Sequence, residues 1–437
     1  MDATRQRESL IEDNAREYGA LYNYMNWIDA DRAAEARQRR EDLLARPGVR
    51  LSCLGTKIHH GPLSPGCRQC ADKAWSCLFI SGRCNGRCFY CPTPQNNDDP
   101  PMSGTVPFRR AGDFAAFVRL FGFGGASVSG GEPFLDFERS LEYVRALRAT
   151  CGPGLHIWLY TNGILATAEK IGRLALAGLD EIRFDIGATD YSLDAARLAR
   201  GVVPTVTVEI PAVPEELQRL RALLPKMWEA GVSHLNLHQL RLTPHNARHL
   251  LERDYTFVHG PKVTVLESEL CALELVAHAA ALELPLAVNY CSFIYKNRFQ
   301  AAAARERFGS WLLENGEELT ASGHIRTVET QDSPHSPWRA TPLPAVAAVD
   351  AALRVGYDAA FLRPAAAPGH AHRSVPVTEG FDVVLERHCV QEPRPITLGG
   401  LRHKRQAPVA DPALPGLYPP RLDASFEWLP PGLGVYF

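Results

Sequence analysis

The order of apolar runs predicts an α/β fold: a partial (β/α)6-type barrel with an N-terminal helical extension and a Pro-rich C-terminal region. Three observations predict it. From about residue 75 short β-type runs alternate with helix-type runs, which is the signature of βα units and a parallel sheet. Six or seven such units in about 215 residues fit an open barrel better than a closed eight-stranded one. Beyond about residue 320 the character changes, with PAAAPGHAH and PVADPALPGLYPPRL.

Residues 6 to 46 are rich in Glu, Arg, Ala and Leu and end at Arg46-Pro47-Gly48, so they read as helical. The domain boundaries follow: 1–50 a helical extension, 51–320 the barrel, and 321–437 a loop-rich accessory region. Within the barrel the candidate strands are 77–81, 125–130, 156–161, 181–187, 205–211, 234–240 and 285–291. Between them Asp113 and Asp136 are plausible helix N-caps, and Gly178 and Gly231 plausible C′ residues. Leu217, Leu220, Leu223 and Met227 fall on one helical face, the pattern of core packing.

The charge balance, 47 basic against 49 acidic residues among 437, offers no overall pull toward a phosphate backbone, so nucleic acid is not an expected partner. No run approaches the roughly 18 apolar residues of a membrane span, and the N-terminus lacks the apolar core of an export signal. The expectation is a cytoplasmic protein without a membrane partner. Seven of the 11 cysteines lie from Cys53 to Cys91, and without an export signal such a cluster reads as metal ligands rather than disulfides.

The segment SGRCNGRCFYCPTP places Cys84, Cys88 and Cys91 at C-x3-C-x2-C directly after the first barrel strand, where sheets of this class present ligands. Three thiolates can hold three irons of a [4Fe-4S] cube and leave the fourth open to a cofactor or substrate. Structural zinc is the competing reading, although it needs a fourth ligand and favours paired C-x2-C knuckles. With Tyr90 as the aromatic before the last cysteine, the motif resembles the signature of the radical S-adenosylmethionine (SAM) superfamily. The resemblance implies that the unique iron chelates SAM, that reductive cleavage yields a 5′-deoxyadenosyl radical, and that this radical abstracts hydrogen from a substrate. It also implies a reductant such as flavodoxin or ferredoxin.

Later strand ends supply matching polar groups. Gly130-Gly131-Glu132-Pro133 is similar to the family's GGEP element, which implies contact with the SAM amino group. Glycines permit close approach and a carboxylate suits an ammonium. Asn162, Asp185 and Glu209 are polar where buried strands are normally apolar, and the resemblance implies SAM ribose and carboxylate contacts for them. A strand-end cap is the structural alternative for each. The series from PGC-x2-C through YTNG, LDEIRF, VEIPAVP and YCS, residues 55 to 310, resembles a branch related to pyruvate formate-lyase activating enzyme.

Cys67 and Cys70, beside His59 and His60, are either a further metal site or a reduced structural pair. Cys291 ends the seventh strand; the resemblance implies a hydrogen-atom donor of the kind epimerases use, with a buried apolar thiol as the alternative. Lys296 is a candidate substrate contact. Size and appended regions favour an enzyme acting on a small-molecule or natural-product substrate, by epimerisation or another redox-neutral change. The alternatives are an activating enzyme for a glycyl-radical partner and a non-catalytic iron-sulfur or zinc protein.

Overall fold

The computed structural model describes residues 3–315, 317–320, 322–329, 353–364, 372–396 and 432–436. The chain folds as two compact units. One comprises Met1–Ala301, Val377–Phe381 and Pro431–Phe437, and the other Ala302–Pro376 with Asp382–Pro430.

The first unit is built on an 11-stranded sheet. Its strands are β1 (Arg50–Ser52), β2 (Lys57–His60), β3 (Trp75–Phe79), β4 (Met102–Ser103), β5 (Val106–Pro107), β6 (Gly125–Ser129), β7 (His156–Thr161), β8 (Glu181–Phe184), β9 (Thr205–Pro211), β10 (His234–His238) and β11 (Ala287–Cys291). The order is β1-β2-β11-β10-β9-β8-β7-β6-β3-β4-β5. From β3 to β11 each new parallel strand is added beside the previous one, so the sheet winds in one direction. It does not close: β2 pairs antiparallel with β11, and β4 antiparallel with β3. Every expected barrel strand is present, most within two residues of its expected ends.

Helices punctuate the strands as the sequence suggests, with one correction. Gly178 and Gly231 lie just past helices Ala168–Leu176 and Leu217–Glu229 with φ of +92° and +90°. Asp136 occupies the cap position of Phe137–Cys151 without a side-chain cap bond. Asp113 is not an N-cap; helix Ala111–Leu120 has Arg110 in that position, and Asp113 sits in the first turn. There its carboxylate accepts from Arg110 at 2.8 Å and from Thr378 at 2.6 Å. A first-turn carboxylate is favoured by the helix dipole as well, which is why the residue type alone misplaced the boundary.

One short helix was not expected. Helix α1 (Pro65–Ala71) starts at Ser64, whose side chain accepts from Cys67 N, and Pro65 occupies its first turn. It lies on the sheet face that carries Glu181 and Arg183: Gly66 N donates to Glu181 Oε2 at 2.9 Å. Arg183 on β8 and Asn289 on β11 both contact Cys67 Sγ at 3.9 Å. In a flat sheet those strands would stand roughly 14 Å apart. The sheet therefore curls around α1, which plugs the end from which the parallel strands start.

The second unit carries a five-stranded sheet, where the sequence suggests loops. Strands His324–Glu329, Leu353–Pro364 and Phe381–Ile396 pair antiparallel within it. Short alternating runs there are outweighed in the sequence by the prolines around them. PVADPALPGLYPPRL and most of PAAAPGHAH lie outside the described residues.

Candidate functional site

The cysteine motif occupies the loop leaving β3, and the loop leaving β6 is laced to it. Ile80 N donates to Ser129 O, Gly131 N to Ser81 O and Glu132 N to Arg83 O, each at 2.8 Å. Gly130 has φ +131°, and a Cβ there would stand 2.5 Å from the Ser81 carbonyl oxygen. A Cβ on Gly131 would overlap the Arg83 carbonyl. These glycines are thus required by the approach of two backbones.

Glu132 is fully buried, and its carboxylate accepts from Phe134 N at 2.9 Å, Thr161 Oγ1 at 2.7 Å and Asn162 N at 2.6 Å. Burial pushes its pKa up while these three donors oppose the shift. Three N–H and O–H donors hold this carboxylate against the loop. Pro133 begins the turn Pro133–Asp136 and is buried.

Asn162, at the end of β7, reaches the cysteine loop: its Nδ2 donates to Asn85 Oδ1 at 2.8 Å and to Cys84 Sγ at 3.7 Å. Tyr90 Oη donates to Asp185 Oδ1 at 3.0 Å, and Asn246 Nδ2 to the Tyr90 carbonyl at 3.1 Å. Burial raises Asp185 to about 6. The structure thus brings Tyr90, Asn162 and Asp185 together with the thiols. Glu209 is instead engaged deeper on the same face, paired with Arg183 at 2.5 Å and His238 at 2.6 Å and accepting from Asn236 at 3.0 Å. Burial pushes Glu209 up, but Arg183 and His238 more than offset this and hold it well below the carboxylate range.

Whether the thiols fit a cluster is decided by their surroundings. Cys84, Cys88 and Cys91 are unpaired and half-buried. Gly86 leaves a gap between two of them: a Cβ there would stand 3.4 Å from Cys84 Sγ and 3.7 Å from Cys88 Sγ. Gly86 N donates to Cys84 Sγ at 3.3 Å, a bond of the kind that tunes cluster thiolates. Burial pushes Cys88 up to about 12 and also raises Cys84, a state that bound iron would reverse by holding the thiolates. Among the described residues no three His, Cys, Asp or Glu converge as ligands of a single ion. A cube needs no such convergence, because it takes one thiolate per iron.

Elsewhere the histidines beside Cys67 are engaged with backbone: His59 Nδ1 contacts Gly61 O at 2.8 Å and His60 Nε2 contacts Leu284 O at 3.0 Å. Cys67 and Cys70 are buried in α1. Cys291 is buried, and Lys57 Nζ donates to its sulfur at 2.8 Å. Lys296 lies over the Phe293 ring at 4.8 Å. The sequence reading missed Arg183, Lys57, Asn236 and His238. The signal was available: Glu181, Arg183 and Asp185, then His234, Asn236 and His238, alternate with apolar residues and so share one face.

A one-directional parallel sheet with three thiols on its first strand's exit loop defines the class, and the family comparison agrees. Residues 78–224 match the Radical SAM superfamily, so the chain carries a radical SAM domain, whose cofactors are a [4Fe-4S] cluster and SAM. The chain is 25% identical over 250 residues to a Methanocaldococcus jannaschii protein named as a glycyl-radical enzyme activating enzyme. That match covers 54% of this chain and 65% of the relative, less than two thirds of its length. Among solved structures, the chain is 13% identical to Streptococcus suis SuiB bound to precursor peptide SuiA, covering 59% of this chain and 57% of that one with a TM-score of 0.38. It is 16% identical to the radical SAM methyltransferase TsrM from Kitasatospora setae, covering 39% and 38% with a TM-score of 0.30. No helix among the described residues is long and apolar enough to cross a membrane.

Proposed function

We propose that this protein reductively cleaves SAM at a cluster held by Cys84, Cys88 and Cys91 and abstracts a hydrogen atom from a small molecule lying on the polar face of the sheet. The observation that carries the reading is the physical joining of the cysteine loop to two later strand ends, through Asn162 to Asn85 and Tyr90 to Asp185. When bound, the cluster supplies the electron that splits SAM into methionine and a 5′-deoxyadenosyl radical. The chain's own residues orient and shield. Gly130, Gly131 and Pro133 shape the loop beside the cluster, and Glu132 fixes the backbone of Asn162. Tyr90, Asn162 and Asp185 are the side chains within reach of the bound nucleoside, and Glu209 belongs to the wall behind it. The buried polar groups of that wall, including a His238 Nδ1 without a hydrogen-bond partner, suit a compact polar substrate. Cys291 is the candidate hydrogen donor on the same face.

Activation of a glycyl-radical protein is the second reading, favoured by the name of the Methanocaldococcus jannaschii relative. Anaerobic reconstitution, reduction and incubation with SAM tests the shared step, and 5′-deoxyadenosine is the expected product. Its absence from fully loaded protein would overturn both readings. Deuterium transfer into 5′-deoxyadenosine from a labelled small molecule, rather than from a glycine-labelled protein, separates them.

A further inference from the structure

Lys57 is fully buried, which is rare for an ammonium unless a counter-charge is at hand. The nearby interior carboxylates are committed elsewhere: Glu181 pairs with Arg183 and His156, and Glu209 with Arg183 and His238. Among the described residues the only hydrogen bond of Lys57 Nζ goes to Cys291 Sγ, at 2.8 Å. The two residues are register partners on β2 and β11, so the backbone of the sheet holds them opposite one another. The Tyr295 ring lies 4.3 Å from the ammonium, and its hydroxyl is buried without a hydrogen-bond partner. Desolvating a charge on this scale is tolerated when a neighbour can take the opposite charge. Sulfur is the group in contact that can.

We propose that Lys57 and Cys291 act as one proton-sharing pair, in which Lys57 is the positioning residue that orients Sγ and sets its affinity for a proton. The proposal rests on the reading of Cys291 as the hydrogen donor. Donation of a hydrogen atom from Sγ to a substrate radical breaks the S–H bond, forms a C–H bond and leaves a sulfur radical. In the shared pair the donor state is S–H beside a neutral Lys57 amine, so one electron from the flavodoxin- or ferredoxin-class reductant and one proton from solvent, taken up at the Lys57 amine and passed to Sγ, restore the thiol. Without Lys57 the reduced sulfur would carry an uncompensated buried charge.

Several groups face the pair. Cys53 comes from the turn between β1 and β2, Cys67 and Cys70 from α1, Glu209 from β9, His238 from β10, and Tyr295 and Lys296 from the segment after β11. Burial pushes the Cys291 thiol up, Cys67 and Glu209 push the same way, and Lys57 and Lys296 oppose them. Lys57 itself is raised despite burial, with Cys291 the largest favourable influence.

The pair is read on cluster-loaded protein by iodoacetamide alkylation, with the Cys291 peptide followed by mass spectrometry between pH 7 and 10. An opposite charge in contact moves a pKa by about 1 to 3 units, so Lys57→Met should slow alkylation of Cys291 by about tenfold or more at any pH below its midpoint, and Lys57→Arg should restore it. Labelling of Cys151, partly exposed and remote from the pair, serves as the internal standard. Equal Cys291 profiles in wild type and Lys57→Met overturn the proposal, and so does absence of labelling in both, because the sulfur would then be closed to small solutes. Should Lys57→Met fail to load its cluster, Cys291→Ser reads the pair from the other side. Reductive methylation of Lys57 should then begin at lower pH than in wild type, and an unchanged profile overturns the pairing. Wild-type SAM cleavage is measured separately, so failure of the function and failure of the pair give different results.

Discussion

Glu132 belongs to a motif in which a carboxylate beside two glycines suggests a ligand contact, yet its oxygens are occupied by Phe134, Thr161 and Asn162. Its contact with Asn162 N fixes the backbone of that residue. Glu132→Gln places an amide N–H against donors, and the loss of one buried acceptor should cost about 1 to 3 kcal/mol in denaturant unfolding. A variant as stable as the wild type would show that the carboxylate is dispensable for the loop. The three thiols are expected to behave differently, since in the proposed cluster each would stand alone as the ligand of one iron. Replacing Cys84, Cys88 or Cys91 by Ala should abolish the visible absorption of a reconstituted cluster while leaving far-ultraviolet circular dichroism intact. Cys77→Ala, on β3 rather than on the loop, should keep the absorption.

At the scale of elements, the loop after β6 is as important as the loop after β3 because the two are joined by backbone bonds. Gly131→Ala drives a methyl group into the Arg83 carbonyl, so the cysteine loop must move. The expected outcome is reduced iron content with little loss of helix and strand. Gly172→Ala is the control: it lies inside helix Ala168–Leu176 with nothing within 4 Å of the added atom, and it should raise stability by up to about 1 kcal/mol. Iron content equal in both variants would show that the glycine contact does not position the thiols. Helix α1 was hidden in the sequence for a related reason. Pro65–Ala71 is only seven residues long and too short to carry a helical period, and only the Glu181 carboxylate and the curl of the sheet make it a plug.

At the scale of the whole molecule, groups with displaced pKa values govern acid stability. Burial lowers His234 and His259 to about 4, so between about pH 6.5 and 4 the unfolded chain binds protons that the folded chain refuses, and stability falls as pH falls. Asp185, raised to about 6 by burial, acts in the opposite sense between about pH 6 and 3.8. Glu181 is held near 2, against burial, by Arg183 and His156, and its contribution is lost as pH drops from about 4.5 toward 2. The lowered histidines, His59 and His238 among them, outnumber Asp185 and give a decline below pH 6.5 that steepens below about 4.5 when Glu181 and Glu209 join. Denaturation midpoints across pH 7 to 3 check this, and His234→Gln should flatten the upper part of the curve. A flat wild-type profile down to pH 4 would contradict the sign for both histidines.

The sequence by itself determined the seven barrel strands and the loop that carries three thiols, because period-two patterning, turn residues and cysteine spacing are all local properties. It also singled out Asn162 and Asp185 as candidates, since a polar residue at the end of an apolar run is visible without knowing its neighbours. What only the tertiary structure decided is where those groups point and what each touches. That Glu132 meets three buried donors, that Glu209 is tied to Arg183 and His238, and that Lys57 meets Cys291 across a strand pair 234 positions apart in the chain all depend on which strands pair and in what register. Strand pairing joins stretches far apart in the chain, and no single stretch of residues records it.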